Sequence, residues 1–155
     1  MFQVLRGPLT VLGRLLLCTI FFMAAVGNKI PHFSDVAKIM DSVGVPAPQL
    51  LLVGAIVFLL VGSLSVFVGY KARIGAVLLL TFLVLASYYF HPFWKLDGQA
   101  QQEQMIQFMK NLSMMGAMLF VIANGSGPMS VDSLLHKRAT APADERGTFA
   151  LTSIA

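Results

Sequence analysis

Residues 69–94, GYKARIGAVLLLTFLVLASYYFHPFW, decide what kind of protein this is. Between Ile74 and Phe90 the stretch carries no charge. At about 1.5 Å per helical residue such a run approaches the roughly 30 Å hydrocarbon thickness of a bilayer. Its two ends differ chemically. Lys71 and Arg73 suit a headgroup layer, whereas Tyr88, Tyr89, Phe93 and Trp94 form the kind of aromatic belt that collects at the opposite interface. Pro92 disfavours helical geometry at His91, so the helix is expected to stop there.

The rest of the chain has the same character. Of its 155 residues, 57% are hydrophobic and only 12% charged, and the mean hydropathy is +0.77. These values exclude an ordinary soluble domain and leave little extramembrane mass for a separate catalytic one. The expected fold is all-α, an integral membrane four-helix bundle with the lipid bilayer as its first partner. A net charge of +4 spread over span ends and loops forms no basic stripe, so nucleic acid is not an expected partner. The single cysteine, Cys18, rules out an intramolecular disulfide. It also rules out the C-x-x-C relay of small quinone-reducing membrane oxidoreductases, so any electrons travel elsewhere.

Four spans are expected at about 9–26, 50–68, 74–90 and 108–124. Arg6 precedes the first and Arg14 falls inside it, a membrane-embedded charge whose guanidinium either snorkels to the interface or faces the bundle and pairs with a carbonyl or a headgroup phosphate. Ala25 and Gly27 would suit a signal-peptide cleavage site, but Arg14 splits the apolar run, and a retained helix is the preferred reading. Between spans 1 and 2, NKIPHFSDVAKIMDSVGVPAPQ at 28–49 contains a short amphipathic helix expected to lie on the membrane, with Ser34 as N-cap and Gly44 as stop. Gly54, Gly62 and Gly69 share one face of the second span and suit close helix packing, with a substrate groove as the alternative. Gly125, Gly127 and Pro128 end the fourth span. Residues 1–136 therefore form one transmembrane domain, followed by a flexible tail at 137–155.

Charge sets the expected orientation. Arg6, Arg14, Lys71, Arg73, Lys137, Arg138 and Arg146 belong to the side of the termini, against Lys29, Lys38, Lys95 and Lys110 on the other. The positive-inside rule then places both termini, and the tail, in the cytoplasm. The outer face gathers Lys29, His91, Trp94, Lys110 and Asn111, with His32 and Gln107 nearby. Lys29 and Lys110 could hold an anion or a quinone carbonyl, His91 could transfer a proton, and Trp94 could form an aromatic wall. The alternative is an ordinary interface belt of lysines and aromatics. His32, His91 and His136 lack metal-site spacing, so no metal is expected, and no hydrolase or nucleotide motif identifies catalytic residues.

The pieces GRLLL at 13–17, Gly27-x-Lys29, GYKARIGA at 69–76, His91-x-Phe93-Trp94 and QFMKNLSMMG at 107–116 together resemble the DoxX family, in the branch related to plant HR-like lesion-inducing proteins. The resemblance implies a four-helix protein of the bacterial inner membrane. Some relatives serve as membrane subunits of thiosulfate:quinone oxidoreductases or of complexes linked to oxidative stress. Leu59 stands about where relatives carry Glu ahead of a small-residue pair, here Gly62-Ser63, which weakens transfer of a proton-coupled mechanism. The first functional expectation is a membrane subunit or accessory protein of quinone-linked redox metabolism, with a redox partner subunit or a homo-oligomeric assembly. The alternative is a structural or adaptor protein without chemistry of its own; transport ranks third because the spans offer no coupling residue beyond Arg14.

Overall fold

The computed structural model describes residues 2–140. Among them there is no strand. Helix α1 spans Phe2–Met23 and runs on as a π-helical stretch at Ala24–Lys29; α2 spans Phe33–Ser42, α3 Pro48–Val68, α4 Ala72–Phe90, α5 Gly98–Asn124 and α6 Val131–Thr140. Four of these elements are long and apolar enough to cross a membrane: Val4–Lys29, Pro48–Val68, Ala72–Lys95 and Gly98–Asn124. This is the expected all-α four-span architecture.

The bundle follows chain order, with α1 against α3, α3 against α4 and α4 against α5. One core joins all four spans through Cys18 and Phe21 of α1 and Ala25 of its π-helical extension, Leu59 and Val66 of α3, Ala76, Leu79 and Leu83 of α4, and Met118 of α5. In a bilayer this packing rests on van der Waals fit, because lipid tails are as apolar as leucine. The α3–α4 pair is the tightest crossing. A Cβ on Gly62 would stand 2.8 Å from Leu79 Cγ and 3.0 Å from the Gly75 carbonyl, and one on Gly75 would stand 2.9 Å from the Gly62 carbonyl. Gly62 therefore packs as its spacing suggested, but its partner is Gly75. Gly54 meets nothing within 4 Å, and Gly69 makes room for Arg14 instead.

Helix α2 is present, and part of its apolar face is turned onto the bundle, while Ile39 and Val43 are exposed. Ala37 and Met40 are buried with Val45 and Leu52, against Phe33, Val36, Ile56, Tyr89 and Phe90. Its end is a Schellman motif: Gly44 has φ 79°, its amide donates to the Asp41 carbonyl at 3.0 Å, and the Val45 amide donates to the Met40 carbonyl at 3.0 Å. At the start, His32 rather than Ser34 occupies the N-cap, without a side-chain capping bond.

Two further boundaries differ from expectation. Helix α5 begins at Gly98, because its polar first half continues the helical hydrogen bonding beyond the apolar segment. Helix α6 carries Lys137–Thr140 of the segment expected to be loose; Arg146 and the remainder of that tail lie outside the described residues.

Candidate functional site

Polar side chains concentrate at the two ends of the bundle. The distal end carries α2, the exit of α4 and the first half of α5; the terminal end carries the start of α1, the α3–α4 turn and α6.

At the distal end, the last three turns of α4 organise the contacts. The π-helical stretch, closed by the Ile30 amide donating to the Ala25 carbonyl at 2.9 Å, widens the end of the first span. It delivers Lys29 to α4, where Nζ lies 5.3 Å from the centroid of the Phe82 ring. One turn or so further along, Asn111 Nδ2 donates to Ser87 Oγ at 3.0 Å. Ser87 is buried, and its hydroxyl donates in turn to the Leu83 carbonyl at 2.7 Å. His91, at the C-cap of α4, sets Nδ1 2.7 Å from Gln104 Oε1 of α5. With Oε1 accepting, the proton sits on Nδ1 and Nε2 is left as the basic nitrogen. Trp94 is 50% exposed and meets Phe93 and Phe108 edge to face, at 5.3 Å and 6.0 Å between centroids.

Of the five distal residues singled out in the sequence, Lys29, His91 and Asn111 thus sit on or against α4, and Trp94 lies beside its exit. Lys110 is exposed on α5 and shares none of these contacts, because a step of one residue turns a helix by about 100° and carries it away from the face that Asn111 presents. His32 is exposed beside the Asn28 carbonyl, and Gln107 is exposed. Phe82, Ser87, Gln104 and Phe108 were not legible as site residues; each is an ordinary helical position whose partner is 13 or more residues distant or on another span. The described ion pair is Lys38 with Asp35 on α2, at 3.4 Å; Lys29 has no carboxylate partner among the described residues. No three of His, Cys, Asp and Glu among the described residues come together as a metal site.

At the terminal end, Arg14 is 6% exposed and faces the bundle; Nη2 donates to the Met129 carbonyl at 2.7 Å. Its guanidinium occupies the space that a Cβ on Gly69 would fill, beside Ser126 and Ser130. Asp132 closes the turn from below. Its carboxylate accepts from the Lys71 amide at 2.9 Å and the Ala72 amide at 3.4 Å, and its own amide donates to the Gly69 carbonyl at 2.9 Å. Arg14 therefore lies level with the ends of α3 and α5, and the first turns of α1 continue past them, with Gly7 against Met129 and Thr10 against Gly127.

The DoxX family model matches residues 9–92. The chain is 31% identical over 128 residues to the inner membrane protein YqjF of Escherichia coli (strain K12), covering 83% of this chain and 93% of that protein. It is 29% identical over 131 residues to the inner membrane protein YphA of the same organism, covering 84% and 93%. No solved structure matches.

Proposed function

The chain belongs to the DoxX family of inner-membrane proteins, and from that premise we propose that it is a membrane subunit of quinone-linked redox metabolism whose distal end holds the quinone headgroup. One observation carries the reading. Lys29 brings an ammonium to the Phe82 ring at the end of a span, with no carboxylate among the described residues to neutralise it. A quinone fits such a place because it offers two carbonyl acceptors on a flat ring. Lys29 and Asn111 would donate to the carbonyls of a ring lying along α4 beside Phe82, His91 Nε2 would exchange a proton with water, and Trp94 stands further out at the exit of α4. A bound quinone would supply the two-electron chemistry; the electrons would come from a partner subunit, since this chain has one thiol and no metal-site spacing.

Several finer readings go with it. Arg6, Lys71, Arg73, Lys137 and Arg138 at the terminal end support a cytoplasmic location for both termini. The five matching pieces taken together, from GRLLL at 13–17 to QFMKNLSMMG at 107–116, support placement in the branch related to HR-like lesion-inducing proteins. The alternative function, an adaptor without catalysis that docks a redox subunit or a second copy, draws support from α5, which buries only Met118 and exposes Leu112, Leu119 and Phe120.

Trp94 is the only tryptophan, so its fluorescence reports on the distal end. Titrating the detergent-solubilised protein with a short-chain ubiquinone analogue should quench it saturably. Lys29→Met should weaken the apparent affinity about tenfold or more, the worth of a charge-assisted hydrogen bond, while Lys110→Ala should leave it unchanged. Equal affinity in wild type and Lys29→Met would remove the proposed site.

A further inference from the structure

The terminal end holds a buried cation that the distal reading does not use. Arg14 Nε and Nη1 are both shielded from solvent and have no hydrogen-bond acceptor among the described residues. Of the five N–H groups of the guanidinium, the one on Nε and the two on Nη1 are thus unpaired, the unfavourable state of a buried charge without full compensation. The one carboxylate close by, Asp132, is committed to the Lys71 and Ala72 amides and to the Ser126 hydroxyl, which donates to it at 3.4 Å. A second guanidinium borders the same loop. Arg73 Nη2 donates to the Ala123 carbonyl at 3.4 Å, and Arg73 Nε lies 3.7 Å from where a Cβ on Gly125 would stand. Two arginines therefore flank residues 125–130 with no free counter-charge described between them.

We propose that Arg14 and the loop of residues 125–130 packed over it together make a binding site for a phosphate oxyanion, carried by an anionic phospholipid headgroup or free in solution. The guanidinium is the primary contact, since its unpaired Nε and Nη1 donors can take two oxygens of one anion. The Ser130 hydroxyl, which donates to the Gly127 carbonyl at 2.7 Å, and the Ser126 hydroxyl, which donates to Ser130 Oγ at 2.9 Å, can turn to a third oxygen only once the loop moves. The site also lies level with the ends of α3 and α5, where phosphate is the prevailing anion of the headgroup layer. Entry requires the loop to lift. Gly125 and Gly127, at φ 74° and 72°, are its hinges, and Met129, a non-glycine residue held at φ 55°, gives up its carbonyl bond to Arg14 as the anion arrives.

The test uses the full-length protein in detergent. Its thermal unfolding is followed in sodium phosphate against sodium chloride of equal ionic strength, and with added phosphatidylglycerol against phosphatidylcholine. Phosphate or phosphatidylglycerol should raise the unfolding temperature by a few degrees over its matched control, and Arg14→Gln should lose that rise. Because Arg14→Gln can fail to fold, Ser130→Asp provides a second readout. Ser130 Oγ accepts from the Ser133 amide at 3.2 Å as the N-cap of α6, and aspartate caps as well as serine. It also sets a carboxylate beside Arg14. This variant should unfold at a higher temperature than wild type in phosphate-free buffer and show no further response to either anion. A rise with inorganic phosphate identifies a site open to the free anion, and a rise with phosphatidylglycerol alone identifies a headgroup site. The proposal is overturned if wild type responds to neither, or if the response survives intact in Ser130→Asp.

Discussion

A Cβ on Gly62 has to share space with Leu79 and the Gly75 carbonyl, while a Cβ on Gly54, two turns earlier on the same helix, meets nothing within 4 Å. Gly62→Ala should therefore cost about 1–3 kcal/mol as α3 and α4 are forced apart. Gly54→Ala should stay within about 0.5 kcal/mol of wild type. Unfolding of both variants in mixed micelles checks the pair; equal stability would mean that the α3–α4 crossing is looser than described. The same comparison explains why a glycine stripe could be read from the sequence while the roles of its members could not. Spacing puts Gly54, Gly62 and Gly69 on one face, but only the neighbouring helix determines which of them needs its missing side chain. At Gly69 the neighbour is a guanidinium from a residue 55 positions earlier, the difference between 69 and 14. Arg14 itself shows the same limit. That it lay within an apolar run was plain, whereas its acceptor, the Met129 carbonyl, lies 115 residues away.

At the scale of elements, α2 is held by a small set of contacts. Met40 is buried against Val45 and Leu52, whereas Ile39 beside it is 53% exposed. Met40→Ala should release α2 at a cost of about 2 kcal/mol, seen as faster amide hydrogen exchange throughout Phe33–Ser42 with the four spans unchanged. Ile39→Ala should exchange like wild type. If Met40→Ala instead accelerates exchange in α3 and α4 equally, α2 and the spans form one cooperative unit. The period of this helix and its Gly44 stop were legible because both are local. The surface it covers was not, since an apolar face of this size fits lipid and protein equally well.

At the scale of the whole molecule, the first and fourth spans, of 26 and 27 residues, exceed the second and third, of 21 and 24, and the first carries the buried charge. Its 26 residues reach about 39 Å at 1.5 Å each, more than the roughly 30 Å hydrocarbon layer. The excess lies at the terminal end, where Gly7 and Thr10 run alongside Met129 and Gly127. Arg14 is thereby set level with the ends of α3 and α5 while facing the bundle. The native thiol is silent for labelling because Cys18 is buried, so introduced cysteines can report the orientation. With cytoplasmic termini, Ser42→Cys should react with a membrane-impermeant maleimide in spheroplasts, and Thr140→Cys only after permeabilisation. The reverse pattern would invert the topology inferred from the basic residues.

The sequence by itself determined the solvent, the four spans, the stops of the third and fourth near Pro92 and at Gly125, the Gly44 end of the amphipathic helix, and the gathering of basic residues at one end. All of these follow from composition, helical period and local backbone geometry within a few residues. The tertiary structure alone decided that Lys29 and Asn111 meet α4 while Lys110 does not, that α2 covers the bundle, that Gly62 pairs with Gly75, and that Arg14 is buried with unpaired donors. Each of these is a contact between segments distant in sequence, set by which helix faces pack, and helical spacing fixes the faces without fixing their partners.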